Sequence, residues 1–423
     1  MSSSNVTIDS LLLLSLLVVL MFPLFPVYFG NNSFHVIPLA VILSLTLLFR
    51  KNNNCFFIEK THFGKITVFF SVTFLLMYLA LINDSFYQKT ELSSFVGLLK
   101  PVYFFLFFLI GYSNKINEYK IVNTICLFFE IAIFLSFSLA IIELFFIDEF
   151  SDLLYVLYKR QERIVLLDKA TGWFGVTYYF AYFTSLLCFF SFFMLSKVKS
   201  FKYLIITLLS LSTIFLTQSR TVIISFAFGF MVIPFLKVSR SNKNIYFIYL
   251  LFLGFIISLF IAYFDFITDN FRYAYAGIKR VTEGIDLYGE GSVQTRFKQF
   301  LWAWNQNKYK LIGFGLGRGE GVALESIYAS YLYRFGLFYL VFYIFMIYHF
   351  YKISSKLAIL FKNDNLLYSF FSGCSLFYLT SPISLLASPS HEMPKIAFVV
   401  FIISGVVYRY NIKYLYLKKN DTA

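Results

Sequence analysis

Arg296, Trp302, Arg318 and Glu325 share one polar stretch, RFKQFLWAWNQNKYKLIGFGLGRGEGVALESIYASYLYRFG (296–336), in a chain that is otherwise strongly apolar. A guanidinium offers fixed N–H donors that match phosphate or carboxylate oxygens, so these arginines suit an anionic ligand. Glu325, just before an apolar run, is placed to act as a general base on a hydroxyl. Its competing use is as a first-turn acid that favours the helix dipole. Trp302 and Trp304 are either interfacial anchors or platforms for a sugar ring, and Tyr328 is grouped with the substrate contacts. Glycines 313, 315, 317, 319 and 321 match a dinucleotide fingerprint only superficially, because no βαβ unit surrounds them. They predict a backbone that comes close to the helix that follows.

A second cation marks TQSRTVIISFAFG (217–229). Arg220 opens an apolar run that Thr217 or Ser219 is placed to cap. A guanidinium beside a helix N-terminus suits a phosphate or diphosphate; the competing use is an arginine snorkelling to the interface. Lys100, followed by Pro101, falls within the run 93–112 toward its outer half, and Glu130 and Glu143 fall within 119–147. Charge inside a bilayer is costly unless it faces a cavity or a partner. Lys100 therefore meets either a lipid-linked phosphate or an acidic side chain, and Pro101 would loosen the helix there.

Other chemistries lack their residues. There is no GxSxG elbow and no outward DxD pair, and His391-Glu392 runs into Met393, Pro394 and Lys395 rather than completing HExxH. Cys55, Cys126, Cys188 and Cys374 are isolated, so neither a disulfide framework nor a zinc site is indicated. No metal and no cofactor is expected.

The elements that must position these groups are spans. With 59% hydrophobic and only 14% charged residues, and a mean hydropathy of +0.74, the chain has too little polar surface for a soluble globule of 423 residues. An all-α polytopic membrane protein of one integral domain, 1–423, is expected. A 20-residue window finds roughly twelve apolar segments, near 8–29, 34–50, 64–82, 93–112, 119–147, 172–195, 201–217, 220–237, 245–264, 326–350, 366–381 and 395–412. The start of the chain has no basic residue before its Leu-rich run, so the first segment reads as a retained span.

Every second short connection is basic: Arg50 and Lys51, then Lys115 and Lys120, Lys197 and Lys199, Lys237 and Arg240, Lys352 and Lys362, and the tail from Arg409. Basic loops mark the cytoplasmic side, which puts both termini inside and two long connections, 148–171 and 265–325, outside. The net charge of +14 partly follows from this bias and is not read as nucleic-acid binding. The outer loop 265–325 is itself basic, with Arg272, Lys279, Arg280, Arg296, Lys298 and Arg318 among its charges. An anionic ligand would explain that, as would a solvated face balanced by Glu283, Asp286, Glu290 and Glu320.

Three groups of residues resemble the bacterial O-antigen polymerase (Wzy) and O-antigen ligase superfamily of membrane glycosyltransferases. They are DKATGWFGVTYYFAYF (168–183), TQSR (217–220), and Arg296 to Trp302 followed by IGFGLG (312–317). In the ligase branch a histidine stands where this chain has Glu325, before Ser326, nine residues and Gly336, and Tyr339 replaces the last glycine of that motif. The polymerase branch is therefore favoured. The resemblance implies a GT-C-like glycosyltransferase of the bacterial inner membrane with two large periplasmic loops. The reaction implied is metal-independent transfer of a glycan from an undecaprenyl-diphosphate donor onto an undecaprenyl-diphosphate-linked acceptor repeat, releasing undecaprenyl diphosphate. It leaves room for a chain-length regulator as a protein partner. Arg220, Arg296 and Glu325 would be catalytic, with Lys100, Arg280, Arg318, Trp302 and Tyr328 on the diphosphate or substrate. A ligase acting on lipid A-core and a lipid-linked oligosaccharide flippase are the other readings. The flippase predicts an internal repeat, and none is visible.

Overall fold

In hydrocarbon a backbone must satisfy its own N–H and C=O groups, which a helix does locally. The computed structural model describes residues 7–29, 35–49, 60–87, 99–113, 117–159, 169–236, 245–246, 249–250, 254, 292–306, 311–313 and 324–415. All regular structure among them is helical: α1 (Ile8–Met21), α2 (Val36–Phe49), α3 (Lys60–Tyr87), α4 (Lys100–Tyr112), α5 (Glu118–Phe145), α6 (Ile147–Leu157), α7 (Thr177–Val198), α8 (Phe201–Leu216), α9 (Arg220–Val232), α10 (Ser292–Gln306), α11 (Ile327–Leu360), α12 (Asn365–Ser384) and α13 (Pro394–Tyr410). Five of them, α5, α7, α11, α12 and α13 with its short extension, are long and apolar enough to cross a membrane. Shorter apolar helices lie at α1, α2, within α3, and at α4, α8 and α9. The chain is a helical membrane protein. The expected segment 245–264 falls largely outside the described residues.

Helix α7 is almost wholly enclosed, and it packs on α12 and α8. Helix α12 in turn packs on α11 and α9, and α13 packs on α4. The α4–α13 crossing depends on two small residues: a Cβ at Gly111 would collide with the Ile402 carbonyl, and one at Gly405 with the Phe108 carbonyl. Close backbone approach of this kind replaces the hydrophobic drive that lipid removes. Interhelical hydroxyl bonds add to it, Tyr182 to Ser381 at 3.0 Å and Tyr378 to Ser404 at 2.7 Å.

The connections sort into two groups. At one end Arg409 donates to the Ser113 carbonyl (2.8 Å), Lys413 pairs with Glu118 (3.0 Å) and Lys197 donates to the Lys362 carbonyl (2.7 Å). At the other end the Leu24 N–H donates to Leu157, Ala170 to Leu216 and Ile327 to Leu385, and Lys395 Nζ reaches the carbonyls of Leu20 and Trp173. The connections read from sequence as basic and inner meet only one another in these bonds, and the outer ones do likewise.

Several boundaries differ from the expected ones: α1 ends at Met21 where the run reached 29, and α11 continues to Leu360 where the run ended at 350. Among the described residues of the run 93–112, α4 starts at Lys100, with Pro101 at the first turn, where its missing N–H would be unpaired anyway. Pro101 therefore starts the helix and does not loosen it. The run from 172 becomes α-helical at Thr177, because Gly172 (φ 51°) and Gly175 (φ 64°) turn the backbone through left-handed conformations first.

Candidate functional site

Helix α10 brings part of the polar stretch onto the bundle. Arg296, Gln299 and Ala303 recur at the i, i+3, i+7 spacing of one helical face; Gln299 and Ala303 are buried, whereas Phe297, Lys298 and Leu301 are exposed. On this stripe Arg296 Nη1 donates to Thr221 Oγ1 of α9 at 3.2 Å, and its Nη2 lies 3.9 Å from Glu325 Oε2. Gln299 Oε1 accepts the backbone N–H of Glu325 at 3.1 Å. Arg220 is the neighbour of Thr221 and the first residue of α9. The structure thus brings Arg296, Glu325 and the turn at Arg220 together from three separate parts of the chain.

The guanidinium of Arg296 has capacity to spare. Its side chain is 18% exposed, against 55% for Glu325, and its Nε is buried without a hydrogen-bond acceptor. An orphaned buried N–H costs on the order of 1–3 kcal/mol, more on a charged group. An anion with several oxygens would satisfy it, while the exposed Glu325 carboxylate is open to a hydroxyl on the solvent side.

A backbone crossing sets where this loop lies. Gly336 interrupts α11 with φ 81° and ψ 177°, a region essentially closed to residues with a Cβ. A Cβ there would strike the Leu311 carbonyl, and one at Gly313 would strike the backbone of Arg334 and Phe335. Segment 311–313 therefore lies against the break in α11, as the close approach expected near this helix requires. Gly336→Ala is expected to cost about 2 kcal/mol from the conformation alone. It should lower the melting temperature in detergent and open the chain around 311–313 to limited proteolysis; an unchanged cleavage pattern would contradict this anchoring.

The other candidates fare differently. The expected cap of α9 is not formed: Ser219 stands at the N-cap without a side-chain cap bond, and Thr217 Oγ1 donates to Ile214 O while accepting from Ser219 N. The hydroxyl closes the turn locally, before the helix begins. Trp302 packs at a tilt against Tyr333 of α11 with centroids 5.1 Å apart, so its ring is engaged in docking α10. Tyr328 donates to the Pro382 carbonyl at 2.6 Å, one of the carbonyls left over at the end of α12. Arg280 and Arg318 lie outside the described residues.

Lys100 is the first residue of α4, and it pairs with Glu392. This pair opens a cluster that includes two residues not anticipated as functional, Tyr331 and Glu392, together with His391. Tyr331 donates to Glu392 Oε1 at 2.6 Å and lies 2.8 Å from His391 Nε2. Burial raises the Glu392 carboxyl, but the Lys100 ammonium, His391 and the bonds from Lys100 and Tyr331 outweigh it and hold the group at about 2. Burial pushes the His391 imidazole down to about 4, against the pull of Glu392 and with a further push from Lys100.

These shifts fix a pH response. Between about 6.5 and 4 the unfolded chain holds a proton on His391 that the folded chain does not, so stability falls on acidification through that window. Glu392 adds a second loss between about 4.5 and 2. The melting temperature in detergent should drop from pH 7 to pH 4.5, and His391→Gln should flatten the drop.

A third polar group is built around Glu143. Its carboxylate is fully buried and accepts Thr171 N (2.7 Å), Thr171 Oγ1 (2.6 Å) and Gly172 N (2.8 Å). Lys395, also buried, donates to Leu20 O (2.9 Å) and Trp173 O (2.6 Å). Their bonds tie the end of α1 and the turn 171–173 to α5 and α13. Glu130 is held by Lys202 (2.7 Å) and Tyr203 (2.9 Å). No protein-family model matches the chain, and no curated protein sequence matches it.

Proposed function

We propose that the protein is a surface-polysaccharide polymerase of the bacterial inner membrane, with cytoplasmic termini and its active site on the periplasmic side. It joins undecaprenyl-diphosphate-linked oligosaccharide repeat units. The acceptor hydroxyl attacks the anomeric carbon of the donor sugar, a new C–O bond forms, and the bond to the diphosphate breaks with its electron pair leaving on undecaprenyl diphosphate. Glu325 takes the hydroxyl proton, and Arg296 with Arg220 meets the negative charge that grows on the diphosphate. A diphosphate is already a good leaving group, so fixed cations at its oxygens suffice. The observation that carries this reading is the convergence of Arg296 on the Thr221 turn, with a spare buried N–H and the Glu325 carboxylate beside it. The basic composition of 265–325 supports it as well.

The test is incubation of the purified protein in detergent, with a chelator present, with one defined undecaprenyl-diphosphate-linked repeat unit. A ladder of products spaced by one repeat is expected. Only unextended substrate, or transfer solely to added lipid A-core, would overturn it.

A further inference from the structure

A cavity of about 280 Å³ lies between α3, α4, α11 and α13, close to the lower end of ligand-site volumes of about 300–1,000 Å³. Its walls are mostly rings, among them Phe69, Phe104, Tyr343, Phe345 and Phe401. Phe345 is 57% exposed, so one wall of the cavity reaches the surface of the bundle. His391 also lines the cavity. Its ring stacks on Tyr343 with centroids 4.7 Å apart, and its Nδ1 is buried without a hydrogen-bond partner.

Counting protons fixes what that nitrogen wants. Glu392 is ionised and can only accept, so the single Tyr331 hydroxyl proton goes to Glu392 Oε1. Tyr331 then meets His391 with a lone pair, and His391 Nε2 must carry the imidazole proton and donate it. The ring is neutral, which leaves Nδ1 with a lone pair and no proton. Lys100, at the far end of the chain of bonds, holds Glu392 in the ionised form on which this order depends. The buried nitrogen beside an apolar cavity is therefore an acceptor awaiting a donor. A phosphate, which at neutral pH mostly accepts, does not meet that need, and a hydroxyl does.

We propose that this cavity binds the hydrocarbon chain of a long-chain alcohol, with the alcohol hydroxyl donating to His391 Nδ1. It is a lipid site separate in its chemistry from the arginine cluster and does not depend on the polymerase reading. The probes are farnesol, 1-hexadecanol, farnesyl phosphate and the saturated hydrocarbon farnesane, each titrated calorimetrically into the full-length protein in detergent. At least one alcohol should bind tenfold or more tighter than both the phosphate and the hydrocarbon, and comparison of the two alcohols separates isoprenoid from acyl chains. His391→Phe should abolish the preference for the alcohol while leaving farnesane binding unchanged. Thr73→Trp, which fills the cavity from α3 without touching the hydrogen-bond chain, should weaken alcohol and hydrocarbon alike and keeps the test open if the His391 variant does not fold. Tighter binding of the phosphate, equal binding of all probes, or full alcohol affinity in Thr73→Trp would each overturn the proposal.

Discussion

Replacing Arg296 with alanine is expected to slow glycan extension at least about 100-fold, the usual consequence of removing one donor that meets developing charge. In cells the lipid core should then carry single repeats where the wild type carries long chains. Thr221 would lose only a 3.2 Å bond to Arg296, so the protein should still insert and elute as the wild type does. Arg296→Lys keeps the charge but not the fork of donors. It should fall between the two, because a single ammonium can serve either Thr221 or the anion. Normal chain lengths from the alanine variant, at wild-type protein levels, would remove Arg296 from the reaction and with it the main support for the polymerase reading.

The second large effect concerns stability. Glu392→Ala leaves Lys100, whose side chain is only 17% exposed, facing the bundle without its carboxylate, and takes from Tyr331 the acceptor of its proton. Breaking a buried pair from one side typically costs about 3–5 kcal/mol, whereas replacing both charges by apolar groups of similar size is often close to neutral. Glu392→Ala should therefore accumulate poorly and melt well below the wild type, and the double variant Lys100→Met, Glu392→Gln should recover most of the loss. Thermal melts of the three proteins in one detergent decide the matter. If the double variant is as unstable as the single, the pair is not what holds this corner together.

Legibility in the sequence followed distance along the chain. Arg296 and Glu325 could be read together because both lie in one polar stretch, and helix periodicity alone accounts for the buried stripe from Arg296 through Gln299 to Ala303. The alternation of basic connections is legible because charge bias is a local property of each stretch of sequence. The close approach at Gly313 was readable as well, from glycine content beside a helix.

The cluster of Lys100, Tyr331, His391 and Glu392 was not legible. Its ion pair joins residues 292 positions apart, and a motif search for His391-Glu392 looks for ligands a few residues away, not for a tyrosine and a lysine on other helices. Lys100 itself carried the right signal, a costly charge in an apolar run, with two possible partners that only the fold could choose between. Thr217 failed as a cap for a related reason. Its type fits a cap, but the turn placed its hydroxyl on the preceding carbonyl.

Lys395 gives the molecule a late step in its biogenesis. Its ammonium closes the Leu20 carbonyl, 375 residues earlier, and the Trp173 carbonyl, while Arg409 does the same for Ser113 and Glu392 for Lys100. Until the ribosome has delivered 392–409, the first helix, both ends of α4 and the turn at Trp173 each keep a polar group waiting in apolar surroundings. A nascent chain stalled before residue 392 is thus marked as incomplete at four separate places, and synthesis of 392–409 resolves all four.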